Sequence, residues 1–170
     1  MSTTLHDLNR ASREQFVSVC GPVFEHSPWI ADRTFDKRPF ASRDALHKAL
    51  VETMRGANTD EQVQLIASHP DLVGKLAREG KLTTESTREQ SAAGLTQLSP
   101  QEVELFERYN AEYRAKFGFP FVICARENKK DAILAAFPLR LQNSRQQEID
   151  TALTEIAKIA RLRLMDAVSE

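Results

Sequence analysis

The chain has 170 residues, of which 41% are hydrophobic and 28% charged, and its 23 basic and 24 acidic side chains leave a net charge of −1. This composition is typical of a soluble globular protein, and the length predicts one domain spanning residues 1–170. The charge balance disfavours a nucleic-acid-binding protein, and no apolar run approaches the roughly 18 residues of a membrane span. Two distant cysteines, Cys20 and Cys124, predict buried reduced thiols. Together with an N-terminus that lacks an apolar signal core, they indicate a cytoplasmic protein.

Helix start and stop residues predict four helices before residue 70. The predicted starts are Ser12, Ser27, Ser42 and Thr59, and the predicted stops are Gly21, Gly56 and Pro70. The first start is a capping box, Ser12–Gln15, in which the serine and glutamine side chains satisfy free backbone N–H groups at the helix end. At the second, Ser27 is the expected cap and Pro28 occupies the first turn. The third helix carries an apolar stripe at intervals of four residues: Leu46, Leu50 and Met54.

Two further helix starts are predicted in the C-terminal half. Ser99–Glu102 forms a capping box for a helix that ends at Gly118, and Ser144 begins a long C-terminal helix. The inward stripe of the first is Val103, Phe106, Asn110, Tyr113 and Phe117. Between the two helices lies an apolar run without helical period, and the sequence offers no second strand to pair with it. We therefore predict an all-α fold, a single compact multi-helix domain with one buried extended segment near residues 119–125.

His69 is followed at once by Pro70, which ends the predicted helix. The plain interpretation is a solvated histidine at a helix C-terminus, where the helix dipole favours its cation. The functional interpretation is that the proline ends the helix so that the imidazole faces a pocket. The other histidines, His6, His26 and His47, lack the spacing of a metal-binding pair, and the two cysteines do not complete a zinc site. A metal enzyme is therefore disfavoured.

Polar residues also concentrate in the segment Glu85–Leu95. Ser86 and Glu89 have the S-x-x-E spacing of a capping box, which would explain both residues without any function. Such a helix start would lie close to other backbone, because small alanines follow it, and its free N–H groups would favour an anion. A third candidate is Arg126, which comes directly after the buried run. Its guanidinium would project from the core and hold a carboxylate through two hydrogen bonds.

Three motifs together resemble the OHCU decarboxylase family, whose members act on 2-oxo-4-hydroxy-4-carboxy-5-ureidoimidazoline. The motifs are His69-Pro70-Asp71-Leu72, then Ser86-x-x-Glu89-Gln90-x-x-Ala93-Gly94-Leu95, then Asn110-x-x-Tyr113-x-x-Lys116-Phe117-Gly118-Phe119-Pro120-Phe121 with Arg126. The resemblance spans most of the chain, from Phe16 through Ser27-Pro28-Trp29 to the final helix. Val73 departs from it, since a smaller residue such as alanine or glycine is expected at that position.

The resemblance implies an all-α enzyme, without cofactor or metal, that converts this compound to (S)-allantoin and carbon dioxide as the last step of urate breakdown. It implies His69 as the catalytic acid or base and Glu89 as its carboxylate partner. The implied substrate-binding residues are Pro70, Ser86, Gln90, Phe121, Val122, Ile123, Cys124 and Arg126, with the 121–124 run acting through its main chain. The implied partner is the small-molecule substrate, with no nucleic acid and no membrane, and the resemblance suggests a homodimer.

Two other functions stay open from the sequence. A non-catalytic all-α interaction module would use its Phe- and Tyr-bearing faces as grooves for a partner. An enzyme acting on a related ureido or amide compound would share the motifs but not the substrate. The clustering of His, Glu, Gln, Ser and Gly in two motifs favours an enzyme over a module, because a binding groove needs apolar anchors.

Overall fold

The computed structural model describes residues 3–74, 77 and 79–170. Over that part of the chain the helices are α1 (Leu5–Arg10), α2 (Arg13–Cys20), α3 (Trp29–Thr34), α4 (Arg43–Gly56), α5 (Thr59–Ala67), α6 (Thr84–Ala92), α7 (Pro100–Phe117), α8 (Lys130–Arg140) and α9 (Arg145–Ala167). Two strands of two residues each, β1 (Thr3–Thr4) and β2 (Val168–Ser169), pair in parallel, which the sequence did not predict. The all-α prediction is confirmed. No described helix is long and apolar enough to cross a membrane.

The described residues form two compact units, and the first comprises residues 3–68 and 157–170. Within it, α3 packs against both α2 and α4. The predicted stripe of α4 is fully buried, because residues four apart lie on one face of a helix: Leu46, Leu50 and Met54. The unit also contains a buried ion pair, in which the Arg163 guanidinium lies 2.9 Å from the Glu25 carboxylate.

The second unit comprises residues 69–156 and is built around aromatic side chains. Five of its phenylalanines and one tyrosine are almost completely buried: Phe106, Tyr113, Phe117, Phe119, Phe121 and Phe137. Gly118 ends α7 with a φ of +81°, a left-handed conformation that glycine adopts without strain. The chain then stays non-helical through Cys124 and buried throughout, before a short 3₁₀ turn at Ala125–Glu127. The predicted buried extended segment is confirmed.

A network of charged groups holds this extended segment from one side. The guanidinium of Arg140 donates to the Val122 carbonyl at 2.6 Å and to the carboxylate of Glu148 at 2.8 Å. Tyr113 donates to the same carboxylate at 2.6 Å, and Glu148 is fully buried. Because a buried charge must be paired and hydrogen-bonded, these contacts fix both the carboxylate and the segment.

The predicted capping boxes at Ser12 and Ser99 are confirmed, and the predicted helix start at Ser144 also has the two hydrogen bonds of a capping box. Two predicted caps are wrong. The helix expected to begin with a cap at Thr59 is capped by Asn58, whose side chain accepts from the Glu61 N–H, because asparagine one residue earlier is an equally good cap. The hydroxyl of Ser27 does not cap α3 but donates to the carbonyl of Glu25.

Candidate functional site

His69 is a buried histidine that directly follows α5 and its C-cap. All four histidines lie in the described part of the chain, and His69, at 7% exposure, is the buried one among them. His6 and His26 are exposed, and His47 is half-buried with Nε2 at 2.8 Å from the carbonyl oxygen of Ala157. The interpretation of His69 as a solvated helix end is therefore wrong. Its imidazole is withdrawn from water.

Helix α6 buries a polar face. Ser86, Glu89 and Gln90 are 5%, 9% and 5% exposed, and their i, i+3, i+4 spacing places them on one side of the helix. Apolar residues normally occupy such a face, because polar groups lose their hydration when they are buried. A helix that turns these three side chains inward has a face suited to binding a polar ligand.

The capping-box interpretation of Ser86 and Glu89 is wrong. The N-cap of α6 is Thr83, whose hydroxyl accepts from the Ser86 backbone N–H at 3.2 Å. Ser86 therefore lies in the first turn of the helix, and Glu89 one turn later. The interval of three residues that defines a capping box also places two side chains on one helix face. In this structure Ser86 and Glu89 share a helix face and do not form a cap.

Gln90 connects α6 to the segment that follows the histidine. Its side-chain oxygen accepts a hydrogen bond from the backbone N–H of Val73 at 3.1 Å. Among the described residues, no acceptor pairs with the amide nitrogen of Gln90. The structure therefore brings one predicted site residue of α6 against the chain four positions beyond His69.

The extended segment presents alternate backbone groups. The Val122 carbonyl accepts from Arg140, and the Cys124 N–H donates to the carboxylate of Glu155 at 3.1 Å. Successive peptide groups of an extended chain point to opposite sides, so the N–H and C=O of Ile123 face away from these two partners. Within the described ranges no protein group pairs with either of them. Ile123 thus supplies a donor and an acceptor side by side.

Arg126 lies close to α6. It is exposed and belongs to the 3₁₀ turn Ala125–Glu127, which packs against α6. Lys129, just beyond the turn, donates to the carbonyl of Ala92 in the last turn of α6 at 2.6 Å. Arg126 is thus an exposed residue that directly follows buried chain, beside the helix that carries the buried polar face.

The electrostatics of Cys124 place Glu89 in the same region. Burial raises the pKa of the Cys124 thiol to about 11, and the negative charges of Glu127, Glu155 and Glu89 raise it as well. The thiol is therefore neutral near pH 7 and is no nucleophile there. The structure thus brings together Glu89, the 121–124 run and the turn of Arg126, while the approach of His69 to Glu89 stays a prediction.

No group of three or more His, Cys, Asp and Glu side chains within the described residues has the arrangement of a metal site. Asn110, which the sequence analysis named only in a stripe and a motif, and Arg114, which it did not name, contact the segment after His69 and are described below. Their i, i+4 spacing on α7 is the one signal that pairs them, and it does not reveal what they bind.

Comparison with known proteins identifies close relatives. A family model described as OHCU decarboxylase matches residues 9–165. A protein of Halalkalicoccus jeotgali named 2-oxo-4-hydroxy-4-carboxy-5-ureidoimidazoline decarboxylase is 42% identical over 161 residues, which cover 95% of this chain and 89% of that protein. A protein of Haloferax volcanii with the same name is 40% identical, covering 98% of this chain and 96% of that one.

Solved structures agree in fold. A crystal structure of (S)-allantoin synthase superposes with a TM-score of 0.78 at 26% identity, covering 98% of this chain and 54% of that chain, so this chain spans about half of that protein. A crystal structure of OHCU decarboxylase in the presence of (S)-allantoin gives a TM-score of 0.68 at 24% identity, covering 92% of this chain and 97% of that chain. The second likeness shows the fold alone.

Proposed function

The chain belongs to the OHCU decarboxylase family, and we propose that it converts 2-oxo-4-hydroxy-4-carboxy-5-ureidoimidazoline to (S)-allantoin and carbon dioxide. This activity makes it a carboxy-lyase of urate degradation. The observation that carries the proposal is the buried polar face of α6 beside the Arg126 turn, in a protein whose one buried histidine lies in the same unit. Three buried polar side chains on one helix face are typical of a site that binds a polar ligand.

The reaction needs little from the protein, because the substrate contains its own electron sink. When the bond to the carboxylate breaks, its electron pair moves toward the ring C=N bond adjacent to that carbon, and carbon dioxide leaves. Many decarboxylases recruit a cofactor for this purpose, but here the ring serves instead. The protein has to orient the carboxylate, stabilise the delocalised anion and deliver one proton to one face of the neighbouring carbon. That last step sets the (S) configuration.

We assign the proton transfer to His69 and its orientation to Glu89. An imidazole suits this work because its ordinary pKa of about 6.5 lies near neutral pH. A carboxylate beside it would stabilise the imidazolium and fix the ring. Glu89, at 9% exposure, is a buried carboxylate on the polar face of α6.

We assign substrate binding to polar groups of α6, of the 121–124 run and of the turn that follows it. Arg126 would grip the leaving carboxylate with two parallel hydrogen bonds. The paired N–H and C=O of Ile123 match the acceptor and donor edge of a ureido or ring amide group. Gln90 would use its amide nitrogen, since its oxygen already holds Val73. Ser86 adds a buried hydroxyl on the same helix face.

The main-chain groups of the 121–124 run differ in whether a protein side chain already pairs with them. The Val122 carbonyl and the Cys124 N–H are engaged by protein side chains, so these two groups shape the segment and Ile123 carries the polar contacts of its main chain. Pro70 and Phe121 stay proposed as apolar walls that exclude water. Independence of cofactors and a homodimer rest on the family resemblance, and cytoplasmic localisation rests on the cysteines and the N-terminal sequence; all three stay proposals.

The test adds freshly generated substrate and follows its ultraviolet decay together with the optical activity of the allantoin formed. We expect the wild-type protein to accelerate the decay and to give (S)-allantoin. His69→Asn should lower kcat by about 10²- to 10⁴-fold, the usual contribution of general acid–base catalysis, with an unchanged helical circular dichroism spectrum. His6→Asn, at an exposed histidine, is the matched control and should behave as wild type.

A near wild-type rate for His69→Asn would refute the catalytic assignment. A wild-type protein that neither accelerates the decay nor produces optically active allantoin would refute the proposed reaction and favour an interaction module. Turnover of another ureido compound in preference to this one would favour the related-enzyme alternative.

A further inference from the structure

Two side chains of α7 grip the chain just beyond His69. Arg114 donates from Nε to both carboxylate oxygens of Asp71, at 3.0 and 3.2 Å. Asn110, one helical turn earlier and 6% exposed, donates from Nδ2 to the carbonyl of Leu72 at 2.9 Å. Because residues four apart on a helix share a face, the two contacts act on consecutive residues of the segment. We call Asn110 and Arg114 the α7 clamp.

The segment held by the α7 clamp is a tight turn, Asp71–Gly74, closed by a hydrogen bond from the Gly74 N–H to the Asp71 carbonyl at 3.3 Å. Its third residue, Val73, has a φ of +56°. A β-branched residue rarely adopts this left-handed conformation, which is strained for it. The turn also leaves no room for a side chain at Gly74, since a Cβ there would lie 2.8 Å from the Cβ of Asp71.

Strained backbone persists only where its surroundings over-determine it, and such places concentrate at functional sites. Here the N–H of Val73 is held by Gln90, and the two residues before it are held by the α7 clamp. Three consecutive residues are thus fixed by three side chains from two helices. The last residue before this pinned turn is Pro70, whose ring restricts the backbone of His69 as well.

We propose that Asn110 and Arg114 are positioning residues for His69. By fixing the Asp71–Gly74 turn, the α7 clamp fixes the direction in which the chain leaves the histidine, and therefore where the imidazole can lie. This proposal rests on the proposed function for its catalytic consequence, but its structural content does not depend on activity. A misplacement of about 1 Å in a reacting group can cost about 100-fold in rate.

The alternative for Arg114 is a surface ion pair of ordinary kind. Its side chain is 46% exposed and that of Asp71 26%, and exposed pairs contribute little to stability. The two alternatives separate in the kinetic parameters. A surface pair affects neither kcat nor KM, whereas loss of positioning lowers kcat and leaves substrate binding intact.

The experiment compares Arg114→Ala, Arg114→Lys and Arg108→Ala. Arg108 lies on the same helix, is 65% exposed and pairs with Glu112, so its loss is a matched control. We expect Arg114→Ala to lower kcat about 10- to 100-fold with KM within about twofold of wild type. Arg114→Lys should restore part of the rate, because it keeps the charge but not the guanidinium, and Arg108→Ala should match wild type.

A second measurement reads the position of His69 without any turnover. In ¹⁵N spectra of the free proteins, Arg114→Ala should shift the imidazole resonances of His69 and leave those of His6, His26 and His47 in place. Unchanged His69 resonances would overturn the proposal, whatever the rate of the variant. Unchanged kcat in Arg114→Ala, with active wild-type protein, would overturn it too. If the wild-type protein shows no decarboxylase activity, the proposed function fails, while the His69 resonances still decide the positioning.

Discussion

Replacing Tyr113 by phenylalanine tests the network that holds the extended segment. Tyr113 is completely buried, and its hydroxyl donates to Oε1 of the fully buried Glu148 at 2.6 Å. Arg140 donates to the same oxygen at 2.8 Å, and Asn143 donates to the other carboxylate oxygen at 2.8 Å. The substitution removes one donor from a buried carboxylate, keeps the aromatic ring in place and creates no large cavity.

The expected cost follows from the charge of the acceptor. A hydrogen bond to a charged group contributes about 1.5–3 kcal/mol, and a buried carboxylate cannot replace a lost donor with water. Since Arg140 still donates a hydrogen bond to the same oxygen, we expect a loss of about 2 kcal/mol in the free energy of unfolding. For a chain of this length that corresponds to a fall of roughly 4–8 °C in Tm. Tyr109→Phe is the matched control, because Tyr109 lies on the same helix, stacks on Phe137 and donates no hydrogen bond within the described residues.

Urea unfolding followed by circular dichroism measures this difference, and Tyr109→Phe should stay within about 0.5 kcal/mol of wild type. Burial, and after it the hydrogen bond to Glu148, raise the pKa of the Tyr113 hydroxyl well above its usual range. The unfolded phenol ionises first, at about pH 10. The difference in the free energy of unfolding between wild type and Tyr113→Phe should therefore be fully present below pH 10 and decline as the pH rises further. A Tyr113→Phe variant as stable as Tyr109→Phe would refute the reasoning.

Two further predictions concern the turn and the thiols. Gly74→Ala should destabilise the fold by about 1–3 kcal/mol in urea unfolding, because the new Cβ would collide with Asp71. Gly56→Ala is the control and should be neutral or slightly stabilising, because nothing lies within 4 Å of its Cβ. Equal effects of the two substitutions would contradict the tight turn. Burial raises the pKa of Cys20 to about 12 and that of Cys124 to about 11, so a thiol reagent at pH 8 should label neither until urea unfolds the protein. Labelling of either thiol in the folded protein would contradict their burial.

Local patterns in the sequence predicted the helices well. A capping box combines a side chain, a spacing and a following apolar period, so Ser12, Ser99 and Ser144 were identified correctly. The same spacing at Thr59–Gln62 gave the wrong cap, because Asn58, one residue earlier, is an equally good N-cap and caps the helix instead. The Ser86–Glu89 pair was misassigned because the same spacing occurs on any helix face that buries both residues.

The site was only partly predictable, because its contacts join distant parts of the chain. His69 stood out through the proline that follows it, and Val73 stood out as larger than expected. Val73 has a φ of +56°, which explains why a smaller residue was expected there, since a residue such as glycine is less strained in that conformation. By contrast, Arg114 and Asp71 lie 43 positions apart, and no local pattern relates them. Long-range pairs of this kind become visible only when the helices are in place.

The balance between enzyme and interaction module can be argued from where polarity and hydrophobicity lie. A module that binds a partner through a groove needs exposed apolar anchors. In the part of the chain that the structure describes, Leu139 is the one large hydrophobic side chain with high exposure, at 68%. Helix α6 shows the opposite arrangement, with Ser86, Glu89 and Gln90 turned inward at a cost in desolvation. Polar side chains thus occupy the interior of this helix face, an arrangement that suits a small polar substrate.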